Sequence, residues 1–249
     1  MVQVWEEQEG GFDYSSGSSS VSQSRWISKA QLTEARKAVN CVEFAPRHVG
    51  LRLATASADG VVRLYEAIDV MNLNHWPMSQ CFDADAESEL GVTALSWCSG
   101  RFEPPMLAVG SSSGQVSVWR FSDASRQWQA AYQLPEHGRS VLDVAWAPNL
   151  GRSFHLVATT GRDGLLRLHR LRRLKQDAGG AAAGGGAEQG AAAAALEYES
   201  SEALDVGGAD MWRLGWNVTG TVLAASGDGG VVQLWKSDFA GNFCFVRDV

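Results

Sequence analysis

The sequence lacks the features that mark a membrane, secreted or nucleic-acid-binding protein. No 18 consecutive apolar residues occur in its 249 residues, so we expect no transmembrane helix and no direct insertion into a membrane. The N-terminus has neither the charged head nor the apolar run of a secretory signal. Lys and Arg number 21 against 28 Asp and Glu, for a net charge of −7. Because nucleic-acid binding depends on contacts of basic side chains with phosphate, this charge argues against a nucleic-acid partner.

Cysteine is scarce and is not spaced to bind metal. No two of the four cysteines lie within four residues of each other, so the spacing of a zinc knuckle is missing. They are Cys41, Cys81, Cys98 and Cys244. Dispersed thiols suit a reducing compartment. The five histidines show no ligand spacing either, and we expect no metal and no cofactor.

Motifs of catalysis are also missing. The strand serines do not lie in a Gly-x-Ser-x-Gly elbow, and the glycine-rich stretch at 227–230 is too short for a phosphate loop. Carboxylates at Asp59, Asp163 and Asp228 stand at repeated turns. General acid–base catalysis would need two groups that converge on one substrate. The sequence therefore predicts a protein that is not an enzyme.

One pattern occurs four times in the chain. Each copy contains a short apolar strand, a tight turn that ends in glycine, a β-branched strand and a closing ring five residues after that glycine. The copies are 53–65, 107–119, 157–169 and 223–235. Glycine accepts the positive φ of a tight turn, and β-branched and aromatic residues favour strands, so each copy predicts a β-hairpin.

The candidate structural residues are the turn and ring positions of these hairpins. They are Asp59, Gly60, Gly114, Asp163, Gly164, Asp228 and Gly230 at the turns and Tyr65, Trp119 and Trp235 at the closing rings. An alternating strand that ends on a large aromatic residue precedes every hairpin. These strands are 39–44, 92–97, 141–146 and 211–216.

Four strands per unit, repeated along the chain, favour a β-propeller. The closing rings at positions 5, 65, 119, 169 and 235 lie 50 to 66 residues apart, whereas a four-stranded blade needs about 40–45 residues. Inserted loops account for the surplus. A solenoid is the alternative, but antiparallel hairpins and Trp-terminated strands favour blades. We expect an all-β, open propeller of four full four-stranded blades plus an N-terminal half blade.

The expected organisation is a single domain over 1–249. It divides into a half blade with a Ser-rich loop (1–33), blades at 34–84 and 85–135, a blade with an Ala/Gly-rich insert at 178–195 (136–205), and a last blade (206–249). The half blade consists of a closing strand at 2–5 and an outer strand at 26–32. No hairpin partner precedes the closing strand, so we expect either a fragment or a gene model that begins late.

The repeat resembles the WD-repeat β-propeller family. Blades of that family are often braced by a buried network of His, Ser or Thr, Asp and Trp. Here His137, Thr159 or Thr160, and Asp163 match the first three members, whereas His169 replaces the Trp. No His precedes the first full blade. The resemblance thus implies incomplete bracing, with more of the stability left to apolar packing.

Phrases outside the generic repeat are similar to the Sec-thirteen-homologue nucleoporin family. They are 44–50, 65–73 followed by Trp76, 146–155 and 212–224. The match covers nearly the whole chain apart from 10–24 and 178–195. The propeller fold does not require loop sequences such as 69–73, so their presence makes the resemblance to this family specific.

That resemblance implies a non-enzymatic scaffold in the Y-shaped outer-ring complex of the nuclear pore. Family members form a six-bladed open propeller, and an α-helical nucleoporin donates a blade that fills the gap. Other Y-complex subunits would be further partners, and the complex would support mRNA export and protein import. The implied location is the nuclear envelope. The alternatives are a nutrient-sensing complex of the GATOR/SEA type at the lysosome or vacuole, and a generic WD-repeat adaptor.

The last blade is the expected partner surface. It begins at Met211 and ends at Arg247, and it would border the gap of an open propeller. Strand addition and apolar contact are the expected modes of binding. Because four blades and a half blade cannot close a ring, we also expect the isolated chain to aggregate or to unfold with poor cooperativity.

Overall fold

The structure is a computed structural model that describes residues 1–8, 24–85, 88, 90–101, 103–173 and 196–249. Within these residues it contains eighteen β-strands and one short 3₁₀ helix at Arg47–Val49. No helix of this described part is long and apolar enough to cross a membrane. Most of the predicted Ser-rich loop and the whole predicted Ala/Gly-rich insert lie outside the described residues.

The strands form five antiparallel sheets. The half blade is β1 (Val2–Gln8) and β2 (Arg25–Leu32), and the first blade is β3 (Val39–Phe44), β4 (Arg52–Ser57), β5 (Val61–Glu66) and β6 (Met78–Asp83). The second blade is β7 (Val92–Trp97), β8 (Met106–Ser111), β9 (Val116–Ser122) and β10 (Gln127–Leu134). The third blade is β11 (Val141–Trp146), β12 (Phe154–Gly161), β13 (Leu166–Arg173) and β14 (Leu196–Leu204). The last blade is β15 (Met211–Trp216), β16 (Val222–Gly227), β17 (Val232–Ser237) and β18 (Phe243–Asp248). The expected all-β, open propeller fold is confirmed.

The hairpins form where the sequence places their turns. The turn glycines Gly60, Gly114, Gly164 and Gly230 have φ of 82°, 96°, 70° and 69°. Residues with a Cβ rarely adopt these values, so glycine is what allows the second and third strands of each blade to pair closely.

Each blade buries one face against the next blade. In the cluster between the second and third blades, Ala108, Val116 and Val118 pack with Val141 and Val144. Equivalent clusters join the half blade to the first blade, the first to the second, and the third to the last. The core is thus a series of interfaces between blades, as expected when neighbouring sheets pack face to face.

Polar side chains of the innermost strands also join neighbouring blades. The backbone N–H of Trp97 donates to Glu43 Oε2 at 3.2 Å, and that of Trp146 donates to Ser96 Oγ at 3.1 Å. The N–H of Leu214 donates to Asp143 Oδ2 at 2.8 Å. Burial raises the pKa of Glu43 to about 7. At each of these three interfaces, a side chain of one blade therefore accepts a hydrogen bond from the backbone of the next.

Candidate functional site

The last blade exposes a face that the other blades bury. The turn glycines align the four hairpins, so equivalent positions can be compared. At one position Ala54, Ala108 and Ala158 are each 0% exposed, whereas Ala224 is half-buried.

Two neighbouring positions on the same face show the same change. Val62, Val116 and Leu166 are buried while Val232 is half-buried, and Leu64, Val118 and Leu168 are buried while Leu234 is half-buried. We call Ala224, Val232 and Leu234 the outward face of the last blade. In the other full blades the innermost strand of the following blade covers this face, and among the described residues no blade follows the last one.

A second opening lies beside the half blade. Val42 and Phe44 in β3 are 43% and 54% exposed, whereas their equivalents in the second blade, Leu95 and Trp97, are each 3% exposed. The preceding blade covers this position in the second blade. Among the described residues the half blade has only β1 and β2, and neither covers Val42 and Phe44. This second exposed site was not predicted.

Further exposed apolar side chains of the predicted partner region lie outside the outward face. Trp212, Phe245 and Val246 are 41%, 49% and 53% exposed. The region from Met211 to Arg247 thus combines half-buried strand positions with exposed rings. Phe245 pairs with Trp235, which packs on the third blade, and the Trp212 ring lies under Arg162 of the third blade, so neither ring belongs to the outward face.

The predicted turn residues of the first blade form a charged brace. Asp59 receives bonds from both terminal nitrogens of Arg63 at 2.7 and 3.1 Å, and from the backbone N–H of Arg36 at 3.0 Å. Burial raises the pKa of Asp59, but these hydrogen bonds outweigh it and hold that pKa well below its usual range. The closing ring, Tyr65, donates its hydroxyl to Glu34 at 3.0 Å. This blade therefore replaces the missing His with an arginine–carboxylate pair.

The third blade corrects the expectation of incomplete bracing. His137 Nδ1 lies 3.0 Å from Asp163 Oδ1, its Nε2 lies 2.9 Å from Thr159 Oγ1, and that hydroxyl lies 2.9 Å from His169 Nε2. The network is therefore continuous, with His169 in the place of the Trp and with Thr159, not Thr160, as the hydroxyl. Burial lowers the pKa of His137 and, for His169, lowers it to about 3. The His169 ring is therefore neutral at pH 7.

The second and last blades close differently. Trp119 donates Nε1 to Ser117 Oγ at 2.9 Å and stacks on Phe82 of the first blade at 4.2 Å. Trp235 is 5% exposed, and its buried Nε1 has no partner among the described residues. Asp228 accepts a hydrogen bond from Trp212 Nε1. Since Asp228 stands two residues before Gly230 rather than directly before it, it is not equivalent to the turn aspartates of the other blades.

The structure also assembles a cluster that sequence reasoning missed. Cys98 Sγ lies 3.9 Å from His155 Nδ1 and 3.7 Å from Glu103 Oε2, and His155 Nε2 lies 2.9 Å from Glu103 Oε2. A thiol, an imidazole and a carboxylate are the groups that hold transition metals. The spacing test could not find them because His155 comes from the neighbouring blade.

Comparison with known proteins identifies the family. The family described as WD domain, G-beta repeat matches residues 27–66. Nucleoporin SEH1-A of Xenopus laevis is 38% identical over 248 residues, covering 96% of this chain and 64% of that relative. Nucleoporin SEH1 of Homo sapiens and that of Danio rerio are each 37% identical over 96% of this chain, which spans 64% and 63% of their lengths. The chain spans less than two thirds of these relatives. By its repeated blades and by this similarity, the chain belongs to the WD-repeat family of Sec-thirteen-homologue nucleoporins.

Proposed function

We propose that this chain is a non-enzymatic scaffold subunit of the outer-ring Y-complex of the nuclear pore. An α-helical nucleoporin fills its open propeller with a donated blade, and other Y-complex subunits bind the assembled pair. The observation that carries the proposal is the outward face of the last blade. Its Ala224, Val232 and Leu234 keep the residue types that other blades bury, although no described blade covers them.

Apolar burial supplies the physical reason for such a partner. Fully burying a Val or Leu side chain contributes about 1.5–3 kcal/mol. Val232 and Leu234 are already half-buried, so part of this contribution is left for an added sheet to gain. A donated blade with apolar residues on its innermost strand would repeat the packing of Val141 and Val144 on the second blade.

The relatives support the location in the cell. Proteins that match 96% of this chain are named nucleoporins, and we therefore propose the nuclear envelope and the nuclear pore complex as its place. There it would contribute to mRNA export and protein import as a structural subunit.

The test measures how much less partner is captured when the outward face carries a charge. Ala224→Glu places a carboxylate on the surface that a donated blade must cover, so recovery of α-helical outer-ring nucleoporins with the tagged full-length protein should fall at least tenfold. Ala130→Glu is the matched control, because Ala130 is an exposed strand alanine on the second blade. That variant should capture the nucleoporins as the unaltered protein does.

Two outcomes would overturn the proposal. If Ala224→Glu and Ala130→Glu recover equal amounts of nucleoporin, the outward face is not the partner surface. If the unaltered protein recovers no outer-ring nucleoporin and instead recovers subunits of a nutrient-sensing complex or signalling partners, the assignment to the Y-complex is wrong.

A further inference from the structure

A cluster of three metal-ligating side chains lies between the second and third blades. Cys98 directly follows β7, and Glu103 lies in the connection from β7 to β8. His155 belongs to β12 of the third blade. We propose that Cys98, Glu103 and His155 form a zinc site that links these two blades.

The distances between the ligand atoms support a single bound cation. One ligand atom from each residue can be chosen so that all lie within 4.8 Å of one another. Zinc bonds of about 2.0–2.3 Å place tetrahedral ligand atoms roughly 3.3–3.6 Å apart. The separations of Cys98 Sγ from Glu103 Oε2 and His155 Nδ1 are 3.7 and 3.9 Å. Glu103 instead bonds to the other ring nitrogen, Nε2 of His155, at 2.9 Å. Binding one ion through His155 Nδ1 therefore requires the Glu103 carboxylate to turn from Nε2 toward Cys98 Sγ.

The surroundings fit a partly closed site. Cys98 and His155 are 3% and 2% exposed, and the Trp146 ring meets the His155 ring edge-on at 5.6 Å. The backbone N–H of Gly100 points at Cys98 Sγ from 3.4 Å, a contact that favours a thiolate. Buried ligands with fixed neighbours lose little side-chain freedom when they bind an ion.

An entry path leads to the open side of the cluster. A cavity of about 440 Å³ is lined by Glu103, Gly100 and Asn149 among others. It gives a cation access, and it provides space for water as the fourth ligand. Thiolate and imidazole ligands favour zinc over magnesium or calcium, which prefer oxygen ligands alone.

The consequence would be a metal cross-link within the propeller. Two ligands come from the second blade and one from the third, so a bound ion would resist separation of the two sheets. The site lies between the second and third blades, whereas the outward face is on the last blade. Zinc binding therefore neither requires nor excludes the proposed partner.

The experiment titrates zinc into the full-length, metal-stripped protein in competition with a chromogenic chelator. We expect one zinc per chain and, with cobalt instead, a near-ultraviolet thiolate-to-cobalt absorption band. Cys98→Ser should abolish the band and weaken zinc binding at least tenfold, and His155→Gln should weaken it similarly. Cys244→Ser, which changes an exposed cysteine of the last blade, should preserve both signals. Magnesium should not compete.

Three results would overturn the site. The first is a folded, unaltered protein that takes up no zinc in competition with the chelator. The second is the absence of the cobalt band in that protein, which would leave the cluster as a hydrogen-bonded contact. The third is zinc binding by Cys98→Ser equal to that of Cys244→Ser. Circular dichroism checks the fold of each variant. If Cys98→Ser does not fold, Glu103→Gln takes its place, and zinc binding by Glu103→Gln equal to that of Cys244→Ser would overturn the site.

Discussion

The third and last blades share a strand order and a repeat, but only the third is covered on its outward face. Ala158, Leu166 and Leu168 are at most 4% exposed because the last blade packs on them. The equivalent outward face of the last blade, Ala224 with its two neighbours, is half-buried. The repeat thus builds a surface for a neighbour in every blade, and the presence of that neighbour decides whether the surface becomes core.

A charge placed on the equivalent position of each face should destabilise the third blade far more than the last. Ala158→Glu would bury a carboxylate between two blades without a partner, and we expect it to lower the free energy of unfolding by about 3–5 kcal/mol. Ala224→Glu has solvent on one side and should cost about 1 kcal/mol or less. Urea unfolding followed by circular dichroism measures both.

Equal losses in the two variants would contradict the comparison. So would a large loss confined to Ala224→Glu, because it would mean that something already covers the outward face in the isolated protein. Ala224 and Ala158 are both strand alanines at the same position of the repeat, so they differ only in burial.

The turn glycines differ in the same way, because one has a following blade against it and the other does not. A Cβ at Gly114, where φ is 96°, would lie 2.3 Å from the carbonyl oxygen of His137 in the strand-to-strand connection that enters the third blade. A Cβ at Gly230, where φ is 69°, would meet nothing within 4 Å. Gly114→Ala should therefore cost about 3 kcal/mol, from backbone strain and the clash together, and Gly230→Ala about 1 kcal/mol from strain alone.

Thermal melting of the two glycine variants is the measurement. The melting temperature of Gly114→Ala should fall clearly further than that of Gly230→Ala. If the two melting temperatures fall equally, a Cβ at position 114 does not clash with the connection that enters the third blade.

The third blade also has a dependence of stability on pH that the last blade lacks at the equivalent position, which is Trp235. Burial lowers the pKa of His169 from 6.5 to about 3, helped by the charges of His137 and Arg167. The unfolded chain then takes up a proton at a higher pH than the folded one. The contribution of His169 to stability is complete above pH 6.5 and is lost as the pH falls toward 3. At pH 4.5 the loss is about 2–3 kcal/mol.

His169→Gln isolates that contribution. Glutamine does not titrate, so the variant's stability should decline less between pH 6.5 and 4.5 than that of the unaltered protein. Glu43, with a pKa raised to about 7 by burial, acts in the opposite direction: its contribution is present below pH 4.5 and is lost as the pH rises. It is common to both proteins and cancels in the difference. Parallel pH profiles would show that His169 does not titrate as described.

Much of the fold could be predicted because its signals are local. Alternation of apolar residues, a glycine at each turn and a ring at each strand end act over six to thirteen residues, so the hairpins and the strands that precede them follow from the pattern. The zinc-ligand cluster could not be predicted in this way. Cys98 and His155 are 57 residues apart, and only the packing of two blades brings them together. The hydroxyl that meets His169 was not predicted either, although Thr159 is only ten residues away. The sequence pattern leaves both Thr159 and Thr160 open, and the direction of each side chain in the folded blade decides between them.

Local chemistry, read along the chain, is enough to dictate strands, turns and the number of sheets, because each depends on residues close in sequence. Burial is different. Val42 and Leu95 occupy one position of the repeat, yet one is 43% and the other 3% exposed. Exposure depends on which sheet stands next to a residue, and that is decided by tertiary packing.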